Sequence, residues 1–146
     1  MRSWDISLDS QFPNLVDLSG KKTSEATEAY NCIAWAFGDD QRKWWPSKLG
    51  FWPRKLTGKS CLEEFLALFR TQGWEKTQDQ SVEFGFLKIA LYANTQQSPD
   101  PTHAARQLPN GKWTSKLGDY IDLSHDLNDL NGPAYGWVIS IFKKAT

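Results

Sequence analysis

Long apolar runs, net charge and cysteine are what this chain is short of. No apolar stretch approaches the roughly 20 residues a membrane helix needs, which excludes a helical span. The start, Met1-Arg2-Ser3-Trp4-Asp5, has no apolar signal core, so the cytoplasm is the expected compartment. Lys and Arg number 17 and Asp and Glu number 17, so net charge favours neither nucleic acid nor an anionic membrane as partner. Two cysteines make no disulfide framework, and in a reducing compartment Cys32 and Cys61 are expected as free thiols. With His103 and His125 they are singletons, lacking any short Cys-x-x-Cys or His-x-x-x-His pair. Structural zinc sites bring such pairs, so no metal and no cofactor is expected.

What is present suits one domain over residues 1–146: 40% of the chain is hydrophobic and 14% aromatic, enough for a substantial core. Met1 to Ser19 reads as an arm lying on the domain. Lys21 to Tyr30 is polar and leads into an apolar helix, Cys32 to Phe37. Asp39 to Thr57 contains Trp44-Trp45-Pro46 and Phe51-Trp52-Pro53, each proline forcing an extended residue before it, which predicts an ordered loop. Ser60-Cys61-Leu62-Glu63 opens a helix with Leu62, Phe65, Leu66 and Phe69 at helical spacing, ended by Gly73.

Strands are expected at Phe86–Tyr92, Thr102–Leu108 and Lys112–Leu117, the last two joined by the hairpin signal Pro109-Asn110-Gly111. Ser124 is expected to cap a short helix carrying Leu127 and Leu130, before a final strand from Tyr135 to Phe142. Helices first and strands afterwards is an α+β pattern, with N-terminal helices packed on an antiparallel sheet.

The chemistry centres on Cys32. Asn31 is a strong N-cap, so Cys32 falls in the first turn, where unpaired N–H groups and the positive end of the helix dipole favour thiolate. His103, on a predicted strand with small Ala104 and Ala105 beside it, is the candidate imidazole partner. Ser115 is the polar side chain on the adjacent hairpin strand that could orient the ring, with Asp119 and His125 as competitors. The Cys32 N–H, with Asn31 or Tyr30, could serve an oxyanion. Each has an ordinary reading: Cys32 as a small core residue, Asn31 as a cap, Tyr30 as a core aromatic, and His125 as a surface residue of a capped helix. Between Gln41 and Leu62 the cations Arg42, Lys43, Lys48, Arg54, Lys55 and Lys59 interleave with Trp44, Trp45, Phe51 and Trp52. Such a composition can bind single-stranded nucleic acid or an anionic glycan, but packing of a long loop explains it better, and nucleic acid is not expected as a partner.

The Cys32 segment, the His103 strand and the hairpin after it resemble the bacterial papain-like cysteine peptidases of the NlpC and CHAP type. The segments Tyr-Asn-Cys-Ile-Ala-Trp-Ala, Thr-His-Ala-Ala-Arg-Gln-Leu and Trp-Thr-Ser-Lys-Leu-Gly also resemble a bacterial domain family that carries no activity assignment. The papain-like resemblance implies a thiol hydrolase or acyltransferase acting on an amide, isopeptide or thioester bond of a peptide, amide or glycopeptide substrate. The alternative is a catalytically silent papain-like domain that binds, or that serves a toxin or immunity system.

Overall fold

The computed structural model describes residues 21–24, 29–47, 50–94, 99–116, 122–132 and 134–146. The expected N-terminal arm, Leu117 and Asp119 lie outside the described residues.

Strand β3, Phe86–Ala93, sets the frame, because its side chains alternate between two covered faces. Ile89 and Leu91 point into one core, Ala90 and Tyr92 into the other. Beside it run β4, Pro101–Gln107, and then β5, Trp113–Lys116. The turn between them is closed by the Leu108 N–H donating to Lys112 O at 2.7 Å, with Gly111 at φ +89°. Next to β5 lie β6, Asp122–His125, and the edge strand β1, Lys21–Ser24. On the other side of β3, the strand β7, Trp137–Ala145, pairs along its length, and the short β2, Glu75–Thr77, pairs with β7. The described residues thus form a seven-stranded sheet of order β1-β6-β5-β4-β3-β7-β2 in which every pairing is antiparallel.

Helices α1, Cys32–Ala36, and α2, Cys61–Thr71, cover one face. There Ile33, Ala34, Phe65, Leu68 and Phe69 pack on Ile89, Leu91, Ala104 and Phe142. The opposite face holds Ala90, Tyr92, Ala105, Trp113 and Leu123 under Leu127 and Leu130 of a single 3-10 turn, Leu127–Leu130. The fold class is α+β, as expected.

Several expectations change in detail. Strand β1 precedes the helices, in a polar stretch with no periodicity to announce it. Ser124 lies on β6 and caps nothing; the 3-10 turn begins after Asp126, whose N–H donates to Asp129 Oδ2 at 2.8 Å. Pairing of Thr114 with Ser124 and Ser115 with Leu123 overrides the local helix signal.

Asn31 ties the loop to α1. Its Oδ1 accepts from Ala34 N at 3.1 Å and from Trp44 N at 3.0 Å, and its Nδ2 donates to Trp44 O at 2.7 Å. Trp44, so tied, lies buried against Phe37, and Trp52 is buried edge-on to Phe65. Asn31→Ala removes a cap and two loop bonds, and should lower unfolding free energy by roughly 2–4 kcal/mol in urea titration. A loss below about 0.5 kcal/mol would show that the loop does not depend on this side chain.

Candidate functional site

On β4, consecutive residues point to opposite faces. Ala104 faces the helices and sits in the core that contains Cys32. His103 faces the other way: its ring stacks on Tyr135 with centroids 4.0 Å apart and meets Tyr92 edge-on at 5.2 Å. No hydrogen bond joins Cys32 to His103 among the described residues, and both side chains are buried. The expected thiol–imidazole pair is therefore not assembled. The physical reason is strand alternation: the helix that carries the thiol rests on the face that His103 turns away from.

The structure does bring His103, Ser115 and His125 together. Beyond the Arg106–Thr114 pair the described ladder between β4 and β5 stops, and side chains bridge the strands instead. Ser115 Oγ lies 2.8 Å from His103 Nε2 and 2.7 Å from His125 Nε2. His125 Nδ1 lies 2.7 Å from the carbonyl oxygen of Asp126. A carbonyl only accepts, so His125 Nδ1 carries a proton, and in the neutral ring Nε2 is then an acceptor. The Ser115 hydroxyl must donate to it. Its oxygen then accepts from His103 Nε2–H, which leaves His103 Nδ1 as a bare acceptor, buried and without a hydrogen bond among the described residues. Every proton in the chain is placed by that one carbonyl.

Electrostatics agree with neutral rings. Burial pushes His103 well below the ordinary imidazole value, and His125 adds to the effect. Burial likewise lowers His125 to about 4, against the smaller opposing influence of the Asp126 carbonyl and the Asp129 and Asp126 carboxylates. All three side chains are wholly buried. Ser115 thus shares the face of His103 and bonds its ring, as the hairpin suggested, while His125 is no surface residue. The signal for His125 was available in Asp122-Leu123-Ser124-His125, where an apolar residue alternates with polar ones as on a strand.

Cys32 opens α1 as expected, one residue after its Asn31 cap. Burial opposes ionisation of its thiol. Burial raises it to about 11, outweighing backbone hydrogen bonds from the Ala104, Ile33 and Cys32 units and the charge of Lys116. Cys61, half-buried, is also pushed up to about 11 by burial and by the nearby charges of Asp100 and Glu64. Around Cys32 sequence reasoning missed Lys116, a fully buried cation on the same face, with Nζ 5.4 Å from the ring centre of Tyr30. Tyr30 also stacks on Trp35. Asn31 spends its side chain on α1 and Trp44.

A family model described as a domain of unknown function (DUF7689) matches residues 21–143. The chain belongs to that family. The match takes in α1, the β4–β5 hairpin and β6, hence every member of the Ser115 chain in DUF7689 terms. No curated protein and no solved structure gives a significant match.

Neutral buried histidines make stability depend on pH. Both folded-state values lie below the unfolded value of 6.5, so below that pH the unfolded chain binds more protons. Stability is full above about 6.5 and falls as pH drops, the His125 share levelling off near pH 4 after a loss of roughly 3 kcal/mol. Urea midpoints measured from pH 8 to pH 4 should fall, and His125→Asn should make the fall shallower. An equally steep fall in His125→Asn would contradict the burial of a neutral ring.

Proposed function

We propose that this domain is a catalytically silent binding module that keeps a papain-like arrangement, a cysteine-opened helix laid on an antiparallel sheet. One observation carries the reading: Cys32 and His103 belong to opposite faces of β4, each sealed in its own core. A thiol nucleophile needs a base within hydrogen-bond reach and a path for substrate. Among the described residues no hydrogen bond joins Cys32 to a base, its side chain is buried, and a thiol raised to about 11 is almost wholly protonated at neutral pH. The one ring proton of His103 goes to Ser115, whose own hydroxyl proton goes to His125, and the three side chains bolt β4 to β5 and β6 where the ladder parts.

A second reading, thiol-dependent hydrolysis or acyl transfer, is favoured by one feature. The tautomer imposed on His103 leaves Nδ1 unprotonated and unbonded, the state in which a ring can take a proton from a thiol. That reading requires the ring to reach the helix face.

The two readings differ in thiol labelling. With limiting iodoacetamide on the native protein at pH 8, Cys61 should react at least about tenfold faster than Cys32, because exposure decides between thiols of similar acidity. Labelling of Cys32 ahead of Cys61, slowed by His103→Gln, would favour the catalytic reading.

A further inference from the structure

Strand β7 is longer than its outer partner. It runs from Trp137 to Ala145, while β2 pairs only with Ile141, Phe142 and Lys143. From Trp137 to Ser140 its outer side has no strand beside it among the described residues, although its inner side is paired with β3 throughout this stretch apart from one bulged residue. The bulge falls at Ile139, which has no partner on β3: Tyr92 stands opposite Val138 and Leu91 opposite Ser140. Ile139 packs against the helix-face core, the face that Leu91 shares.

Two openings meet at this edge. One, of about 390 Å³, lies between the edge and α2, walled by Leu62, Leu66 and Val138. The other, of about 410 Å³, follows the edge past Thr77, Gln78 and Ile141. Ile139, Ser140 and Lys76 line both. Lys76 is exposed, and among the described residues it has no ion pair and no acidic side chain lines either opening.

We propose that the outer edge of β7 from Trp137 to Ser140 is a docking site for an acidic segment of another protein in extended conformation, which adds to the sheet as a strand. The inference rests on the binding reading above and names the partner it would take. Strand addition draws affinity from main-chain hydrogen bonds along the edge and specificity from alternate side chains in pockets beside it. Here the apolar wall of Leu62, Leu66 and Val138 accepts an aliphatic side chain, and Lys76 accepts a carboxylate. A second copy pairing edge to edge would set its own Lys76 near this one, and no acidic side chain among the described residues lines the openings it would fill, which disfavours self-pairing.

The test uses three acetylated heptapeptides in which valine alternates with glutamate, glutamine or lysine, titrated into the full-length chain labelled with 15N. The glutamate peptide should bind at least about tenfold more tightly than the lysine peptide and should slow amide exchange within Val138–Ser140; Lys76→Glu should invert that order. The proposal is overturned if no peptide protects these amides, if protection is indifferent to peptide charge, or if it rises with protein concentration without peptide. Exposure of the same protein to a small aryl thioester reads the other question separately. Acylation of Cys32 would overturn the silent reading whatever the peptides do.

Discussion

Ser115 has one hydroxyl proton, and the sheet face under Tyr135 is organised by where it goes. The Asp126 carbonyl accepts from His125 Nδ1, so the Ser115 proton goes to His125 Nε2, and Ser115 must in turn accept from His103. A hydroxyl that donates once and accepts once between two buried rings joins three strands by side chains at the point where backbone pairing between β4 and β5 has ended. Reversing any member would leave two donors or two acceptors facing each other among buried side chains, at a cost of roughly 1–3 kcal/mol per unsatisfied group. Both rings are accordingly held neutral, and that condition bears directly on what the histidines can do.

A catalytic thiol–imidazole pair works as an ion pair, with the ring charged and the thiol ionised. Here burial opposes both halves. Cys32 moves up and His103 moves down, so the charge-separated state is disfavoured at each end independently. Alternation along β4 adds a geometric obstacle by placing the two side chains in different cores. An N-terminal helix position lowers a thiol only when its N–H groups outweigh desolvation. In a helix of five residues, 8% exposed at Cys32, they do not.

Much of this was legible in the chain. Asn31 as a cap, the Ser60-started helix and the Asn110-Gly111 turn follow from local chemistry, because each is decided by residues within a few positions of one another, and that turn brings Ser115 beside His103 across the hairpin. What the sequence hid depends on partners far along the chain. Strands β1, β2 and β6 are three or four residues long, and their pairing is set by neighbours rather than by their own pattern. His125 looked like a surface residue because Ser124 resembles a helix cap, yet pairing of Trp113 with His125 turns it inward. The face taken by His103 was open to the period-two rule, but not which face α1 would cover.

The central claim, that His103 is a neutral ring bound to Ser115 and not half of a thiolate pair, is tested most directly by 15N chemical shifts of the two imidazoles at pH 7. His103 should be protonated at Nε2 and bare at Nδ1, and His125 protonated at Nδ1 and bare at Nε2. A His103 ring protonated at both nitrogens at pH 7, returning to neutral in Cys32→Ala, would contradict it.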